Sequence, residues 1–321
     1  MNLIEEAAKR LQQLEKAGIR VPETQAAAAS HPGPNPDVEP LPQRAARAAV
    51  EAHAAGAGVH IPVERRPEPM PQEKAQQQGR NFRNIDLARL EASGFITPNV
   101  KESKLLHEFR VIKRPLIQNA LGKGAAPVAN GNLIMVTSAL PGEGKSFVSL
   151  NLAMSMAMEL DCRVLLVDAD VVKPTIPAML AIQRTKGLLD VLTEPDLSFG
   201  DVLLHTNVPR LTLALAGTPH RGASELLASE AMARLLEEVS SRYRDRIVIF
   251  DSPPLLATTE SRVLARHMGQ VVVVAEAERT THAALESALS TLEECPVVLT
   301  LLNKARESDD GSDYSYYGHG G

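Results

Sequence analysis

Continuous apolar runs divide the second half of the chain and predict buried β-strands. The runs do not alternate with polar residues, which is typical of strands covered on both faces of a parallel sheet. Stretches with helical periodicity separate most of them. The predicted strands are Leu133–Val136, Val164–Val167, Leu211–Leu215, Ile247–Phe250, Val271–Val274 and Val297–Leu302. The predicted helices include Phe147–Leu160, Ser224–Arg242 and Thr281–Glu293. This alternation predicts an α/β domain with a doubly wound, mostly parallel sheet.

The first hundred residues follow a different pattern. Apolar residues such as Leu3, Leu11 and Leu14 share one helical stripe, which predicts an amphipathic helix over residues 1–20. The sequence from Val21 is rich in Ala, Pro and Gln and has no sustained period, so we predict a disordered linker over residues 21–83.

Order is expected to return near Asn84. One short helix is predicted after Ile85 and stops before Pro98, and a second runs from Ser103 to Pro115. The predicted organisation is therefore an N-terminal arm, one folded domain over residues 84–304 that includes helices within 84–120, and a flexible tail over residues 305–321.

Composition narrows the functional classes. The net charge of −5 and the pI near 6.0 give no general case for nucleic-acid binding. The two cysteines, Cys162 and Cys295, lie far apart, which suits a reducing compartment. No apolar run approaches the ~18 residues of a membrane span, and the N-terminus lacks the apolar stretch of a signal peptide. We expect a cytoplasmic protein that a partner must hold if it works at a membrane.

The first predicted strand runs directly into TSALPGEGKS, Thr137 to Ser146, and a helix follows. This fits the phosphate-loop pattern G-x-x-x-x-G-K-[ST], except that Ala139 stands at its first glycine. In such a loop the backbone N–H groups point at phosphate, the lysine pairs with the β- and γ-phosphate oxygens, and the hydroxyl reaches Mg²⁺. The predicted nucleotide-binding residues are Pro141, Gly142, Glu143, Gly144, Lys145, Ser146 and Phe147. Because the loop is expected to face solvent, Lys145→Met should abolish activity and leave the fold intact.

Carboxylates follow two other predicted strands. Asp168 and Asp170 lie in VLLVDADVVKP, and Asp251 lies in IVIFDSPPL. An aspartate after a strand is often a helix N-cap. Ligands of an open parallel sheet, however, gather beyond the carboxyl ends of its strands. Three carboxylates in these positions favour a shared site, in which Asp168 and Asp251 flank the metal ion bound by Ser146.

The tyrosines are distributed unevenly. The whole chain has four, and Tyr314, Tyr316 and Tyr317 fall within its last eight residues, where no core can form. Neighbouring glycines are expected to keep this tail mobile, and Asp309, Asp310 and Asp313 bring negative charge close to the tyrosines in sequence. A merely disordered tail explains the glycines and aspartates but not the tyrosines.

The motifs resemble those of the bacterial tyrosine kinases. SALPGEGKS from Ser138, VDADVVKP from Val167 and FDSPP from Phe250 look like the Walker A, Walker A′ and Walker B motifs of that family. The resemblance covers roughly residues 84–321 and implies a MinD-like P-loop domain. The Ala-rich arm and the stretches IDLARLEASGFITP and EFRVIKRP are most similar to the exosortase-associated (PEP-CTERM) exopolysaccharide tyrosine autokinases.

This resemblance implies phosphoryl transfer from MgATP to a tyrosine hydroxyl of the tail. Lys145 would hold the phosphates, Asp168 would orient or deprotonate the hydroxyl, and Asp170 would support the metal. A phenol with a pKa of about 10 needs such help at neutral pH. The phosphate acceptors would be Tyr314, Tyr316 and Tyr317. Lys173 would stabilise the transferred charge, and Asn303 and Lys304 would touch the adenine.

The resemblance also implies partners. A separate membrane chain-length regulator, a polysaccharide co-polymerase, would recruit the protein to the inner face of the membrane to regulate exopolysaccharide synthesis or export. A homo-oligomer and a cognate tyrosine phosphatase are implied as well. The family assembles through a helix motif E-x-x-R-x-x-R. When Arg110 and Lys113 are aligned on its basic positions, His107 stands where the glutamate should be, with Glu108 one place off. The basic stretch Arg110–Arg114 remains the candidate contact to a neighbouring subunit.

Two other functions stay open at the level of sequence. A MinD/ParA-type positioning ATPase would carry a second lysine in its phosphate loop, but Leu140 stands at that position. A nucleotide-sensing adaptor without catalysis would not need Asp168, Asp170 and Asp251 together.

Overall fold

The computed structural model describes residues 81–305. The predicted N-terminal helix, most of the predicted linker and the tyrosine-rich tail lie outside the described residues. The described strands are β1 Phe82–Arg83, β2 Leu133–Ser138, β3 Val164–Asp168, β4 Leu204–Thr206, β5 Leu211–Ala214, β6 Ile247–Asp251, β7 Gln270–Glu276 and β8 Val297–Asn303. The described α-helices are α1 Leu87–Ala92, α2 Lys104–Ala120, α3 Lys145–Ala157, α4 Ile176–Leu180, α5 Leu188–Thr193, α6 Ala223–Leu227, α7 Glu230–Arg242, α8 Glu260–Ala265 and α9 His282–Leu289. Short 3₁₀ turns cover Phe199–Val202 and Ser290–Leu292.

The strands form one sheet in the order β1-β4-β5-β3-β6-β2-β7-β8. Every described pairing is parallel except that of β4 with β5. The predicted α/β class with a doubly wound, mostly parallel sheet is therefore confirmed. The order places β2 between β6 and β7, with β3 on the far side of β6, so the predicted phosphate loop and both aspartate-bearing strand ends meet at one edge.

Both faces of the sheet are covered. Along β2, Leu133 and Met135 belong to one apolar core, while Ile134 and Val136 belong to the other. Helix α7 closes the first core with residues such as Leu236, and helices α2 and α3 close the second. Strand β8 is different: none of its residues is fully buried, and it is an edge of the sheet.

Several predicted boundaries were wrong. Helix α2 does not end at Pro115 but continues to Ala120. Proline removes a backbone hydrogen-bond donor from the helix. The turn that follows Pro115 is stabilised by a residue of another strand, because the Gln270 amide donates to Leu116 O at 3.1 Å. The single helix predicted over Ser224–Arg242 is two helices, because Ser229 caps a new N-terminus by accepting from Met232 N at 3.3 Å.

The two short strands near the other edge were not predicted. Strand β1 pairs with β4, and both are too brief to leave an apolar run in the sequence. Strand β1 lies within the predicted linker over residues 21–83, so the last residues of that range belong to the sheet and are not linker.

Candidate active site

The loop between β2 and α3 has the backbone geometry of a phosphate cradle. Gly142 and Gly144 adopt left-handed conformations, with φ of 89° and 97°, which glycine reaches without steric cost. Gly144 is the N-cap of α3 and has no capping side chain. The first N–H groups of α3 therefore point out of the helix with no partner from a cap, as an anion site requires.

Glu143 braces this loop from within. Its side chain is buried, accepts a hydrogen bond from Leu140 N at 2.8 Å, and accepts another from the Thr280 hydroxyl. Both carboxylate oxygens are thus engaged inside the protein. The Glu143 side chain is therefore not free to bind nucleotide, and the prediction that Glu143 binds nucleotide rests on its backbone N–H group. Thr280, which the sequence did not indicate, helps to fix the shape of the loop.

Lys145 is not a solvent-facing cation. Only 9% of the residue is exposed, and its Nζ donates to Asp170 Oδ2 at 2.6 Å. Burial lowers the pKa of Lys145, but the charges of Asp251 and Asp170 outweigh that effect and the pKa lies above its usual value. The expectation that Lys145 faces solvent is therefore wrong. Lys145 is the counter-ion of a buried acidic cluster, and we expect its removal to affect the fold as well as the activity.

The acidic cluster lies beneath the loop. Asp168 and Asp251 are register partners at the ends of β3 and β6, and both are fully buried. Ser149 donates to Asp251 Oδ1 at 3.0 Å. Burial and the nearby Asp251 and Asp170 raise the pKa of Asp168 well above its usual range. Burial also raises the pKa of Asp251, although the Lys145 ammonium opposes this.

Three carboxylate oxygens in this cluster have no hydrogen-bond partner: both of Asp168 and Oδ2 of Asp251. Buried polar atoms without a partner are costly, and hard oxygen ligands of this kind suit Mg²⁺. Within residues 81–305, no group of three or more His, Cys, Asp or Glu side chains is arranged to hold a metal ion by itself. This agrees with the general behaviour of Mg²⁺, which takes one or two carboxylates together with phosphate and water. The predicted ligands Ser146, Asp168 and Asp251 thus fit a metal bound jointly with a nucleotide.

A cavity of about 370 Å³ opens beside Lys145 and Asp170. All the predicted loop residues except Glu143 line it, as does Lys173. Its remaining walls were not predicted: Val172, Thr175, Met179, Pro253, Pro254, Ala257 and Thr258. The sequence did contain a signal for these wall residues, because they follow the two aspartate motifs directly. Loops that leave the same edge of a sheet border the same site. One of these residues, Thr175, has a buried hydroxyl without a partner.

Asn303 and Lys304 contact the phosphate loop directly. The Asn303 amide donates to Glu143 O at 2.9 Å, and Lys304 Nζ donates to Gly142 O at 2.9 Å. Lys304 also pairs with Glu276 at 3.1 Å. Both residues had been assigned to the adenine. In the structure they fix the backbone of the loop that faces the phosphates, so an adenine contact stays a prediction.

The basic residues of α2 divide into two groups. Lys113 is buried; its Nζ donates to Ser155 O at 2.7 Å and pairs with Glu159 at 2.6 Å. It therefore belongs to the interior of the subunit and is not available to a neighbouring one. Arg110 is exposed and pairs with Glu102 at 2.9 Å.

No described helix is long and apolar enough to cross a membrane.

Comparison with known proteins agrees with this geometry. The family model described as "ParA: NUBPL iron-transfer P-loop NTPase" matches residues 130–297. The chain is 33% identical to the tyrosine-protein kinase YwqD of Bacillus subtilis over 58% of this chain and 77% of that protein. It is 30% identical to the putative tyrosine-protein kinase CapB of Staphylococcus aureus over 58% of this chain and 80% of that protein. It is also 34% identical to the tyrosine-protein kinase ptk of Acinetobacter johnsonii, but it spans only 25% of that longer protein.

Solved kinase domains share the architecture. The kinase domain of VpsO is 29% identical and matches with a TM-score of 0.51, covering 62% of this chain and 96% of that domain. The BceF tyrosine kinase domain is 26% identical with a TM-score of 0.53, covering 71% and 86%. The chain therefore belongs to the ParA-type P-loop NTPases and, among them, to the bacterial tyrosine-protein kinases.

Proposed function

We propose that this chain is an ATP-dependent protein-tyrosine autokinase that phosphorylates Tyr314, Tyr316 and Tyr317 and thereby regulates exopolysaccharide synthesis or export. The observation that carries the proposal is the buried cluster of Lys145 with Asp168, Asp170 and Asp251 under a phosphate loop. An ordinary βα turn does not require three crowded carboxylates, two of which, Asp168 and Asp251, have oxygens without a hydrogen-bond partner.

In this proposal the N–H groups at the start of α3 and the Lys145 ammonium bind the β- and γ-phosphates of ATP. Lys145 has to exchange its contact with Asp170 for the phosphate, which leaves the Asp170 carboxylate facing the cavity. Ser146, Asp168 and Asp251 would hold Mg²⁺, which neutralises the charge that develops on the phosphates.

The transfer forms a bond between the tyrosine oxygen and the γ-phosphorus and breaks the bond from the γ-phosphorus to the bridging oxygen of ADP. The phenol loses its proton to a carboxylate of the site. Asp168 is assigned this role from the resemblance, and Asp170 is its rival because it lines the cavity. Asp168→Asn and Asp170→Asn discriminate between them: the base is the residue whose variant binds ATP with an unchanged Mg²⁺ requirement yet transfers no phosphate.

The decisive experiment incubates the full chain with ATP and Mg²⁺ and maps phosphate by mass spectrometry. We expect phosphotyrosine at the three tail positions and none in a variant with all three replaced by phenylalanine. Tyr243 should remain unmodified, because it is 8% exposed and packs between Phe199 and Arg246. Phosphate mainly on Tyr243, or on serine and threonine, would refute the proposal.

Two other outcomes identify the alternatives. ATP hydrolysis without phosphotyrosine would favour a positioning ATPase of the MinD/ParA type, although Leu140 occupies the place of that class's second lysine. Binding without hydrolysis or transfer would favour a nucleotide-sensing adaptor.

We further propose that the enzyme forms a homo-oligomer, that transfer occurs in trans, and that a separate membrane chain-length regulator recruits it from the cytoplasm to the inner membrane face. A cognate tyrosine phosphatase would reverse the reaction. Mixing an Asp168→Asn chain with an active chain that lacks tail tyrosines tests the transfer. Phosphotyrosine on the inactive chain indicates transfer in trans, and its absence indicates transfer in cis.

A further inference from the structure

The outer surface of helix α2 carries an unusual combination of groups. His107, Arg110, Val111 and Arg114 lie three to four residues apart, which places them on one stripe of the helix. All four are exposed, and Val111 is 61% exposed although it is apolar. Arg114 makes no ion pair with any residue of the described part of the chain. The stripe therefore offers guanidinium groups and an apolar surface side by side.

Two hollows meet on this stripe. One, of about 770 Å³, is lined by Arg110 and Arg114, and the other, of about 580 Å³, lies between α2 and β8. His107 and Val111 line both, so the two hollows adjoin along this stripe, and together they are called the groove. The second hollow also contains Leu302, which is 65% exposed.

The charges of the groove favour an anionic occupant. The larger hollow has three cationic side chains, Arg110, Lys113 and Arg114, and one carboxylate, Glu159, for a net charge of +2 with His107 neutral. Glu159 is neutralised by Lys113, and Glu102, which lines neither hollow, pairs with Arg110 through an exposed contact. Among the described residues that line the two hollows, Glu108 is the remaining carboxylate. An exposed ion pair such as Arg110–Glu102 contributes little and is easily exchanged for a stronger anion.

The chain itself leads into this groove. Ala305 lines the second hollow, and the tail continues from it. Tyr314 follows Ala305 by nine residues, enough for a span of up to about 30 Å, while His107 and Arg114 are separated by only about 10 Å along the helix. The segment from Glu307 to Asp313 contains four carboxylates and no basic residue.

We propose that this groove binds the chain's own tail after its tyrosines are phosphorylated, with Arg110 and Arg114 pairing with the phosphates and Val111 contacting a tyrosine ring. Each phosphate brings close to two negative charges and three strong acceptors, which arginine binds bidentately. The inference rests on the proposed kinase function for the origin of the phosphates. Because the resemblance implies that subunits assemble through this same helix, a tail bound here would cover the exposed part of that candidate contact surface.

The test uses a synthetic peptide, so that it does not depend on kinase activity. The probe is residues 308–321 phosphorylated at the three tyrosines, and the receptor is the full chain with those tyrosines replaced by phenylalanine. Calorimetry should show binding that is at least ten times tighter than that of the unphosphorylated peptide. The double variant Arg110→Gln/Arg114→Gln should bind the phosphopeptide at least ten times more weakly.

The matched control is Arg163→Gln/Arg266→Gln, which removes two exposed arginines from ion pairs elsewhere on the surface and should leave binding unchanged. Equal weakening by both double variants, or no weakening by either, would overturn the site.

A second arm tests whether the tail binds within its own chain. A full chain whose tail carries the three phosphates, installed by ligation of the synthetic peptide, should bind added phosphopeptide at least ten times more weakly because its groove is occupied. Undiminished binding to that chain would overturn docking in cis. Absence of phosphotyrosine in the enzymatic assay would refute the kinase proposal and leave this measurement unaffected.

Discussion

Lys145 offers the sharpest quantitative test of the site, because it compensates three buried carboxylates at once. Its ion pair with Asp170 leaves only 11% and 7% of the two side chains exposed. At an effective dielectric constant near 20, one such pair about 4 Å apart is worth about 4 kcal/mol. Removing one partner of a buried pair typically costs about 3–5 kcal/mol, because the other charge stays buried. We therefore expect Lys145→Met to lower the free energy of unfolding by about 3–5 kcal/mol at pH 7.

The pH dependence follows from the carboxylates. Asp168 and Asp251 already have raised pKa values, and Lys145 opposes that rise for both. Removing Lys145 raises these pKa values further in the folded state. A carboxyl whose pKa is higher in the folded than in the unfolded state destabilises the fold above that folded pKa, and the penalty fades as pH falls below it. The deficit of the variant should therefore be largest at neutral pH and shrink on acidification.

Urea unfolding followed by circular dichroism measures this difference. With a slope of about 2–3 kcal/mol per molar urea, the midpoint should fall by about 1–2.5 M at pH 7 and by clearly less at pH 5. Asp170→Asn added to Lys145→Met should recover part of the loss, because it removes one of the uncompensated charges. An unchanged midpoint at pH 7, or a deficit that grows toward pH 5, would refute the buried-cluster reasoning. If the expectation holds, inactivity of Lys145→Met cannot be attributed to a lost phosphate contact alone.

Three further predictions concern neighbouring features. Asp168→Asn should raise stability at pH 7 by on the order of 1 kcal/mol in the same urea assay, since it relieves burial of a charge; a loss of stability would contradict the raised pKa of Asp168. Asn303→Ala should raise KM for ATP about five- to tenfold with a smaller effect on kcat, because the Glu143 carbonyl loses a hydrogen bond worth about 1 kcal/mol; an unchanged KM would show that the loop holds its shape without it. Gly217→Ala should destabilise the fold by roughly 2 kcal/mol or more, because φ of Gly217 is 94° and the new Cβ would lie 2.4 Å from Asp190 Oδ2. The KM for ATP should stay unchanged, and normal stability of the variant would mean that this loop can rearrange.

The parts of the site that the sequence predicted depend on short-range rules. A strand followed by GEGKS folds into a phosphate loop locally, and the ends of parallel strands share one edge, so Lys145, Asp168 and Asp251 were placed together before any contact was known. Continuous apolar runs likewise predicted the central strands. Their outer neighbours β1 and β4 escaped prediction because two or three residues carry no periodicity.

The missed features depend on partners far away in the chain. Glu143 meets Thr280 across 137 residues, and Lys113 donates to Ser155 O across 42. Neither pairing leaves a local signal, and a lysine on a basic helix is expected to face solvent. A local rule predicts that the helix stops at Pro115, whereas in the structure Gln270 supports the following turn from another strand.

The segment Asn303–Ala305 connects the phosphate loop to the groove on α2. Asn303 and Lys304 hold the carbonyls of Glu143 and Gly142, and the next residue, Ala305, already borders the groove on α2. Lys304 has a left-handed backbone with φ of 58°, a conformation that costs a non-glycine residue of order 1 kcal/mol or more. Its contacts to Gly142 and Glu276 offset that cost and fix the direction in which the chain leaves β8. The residues that precede the tail are therefore hydrogen-bonded to the phosphate loop. We expect a tail bound along α2 and a tail extended toward another subunit to shift these hydrogen bonds to the two loop carbonyls differently. We therefore expect nucleotide affinity to depend on where the tail is bound, and to do so through Asn303 and Lys304, which donate to these two carbonyls.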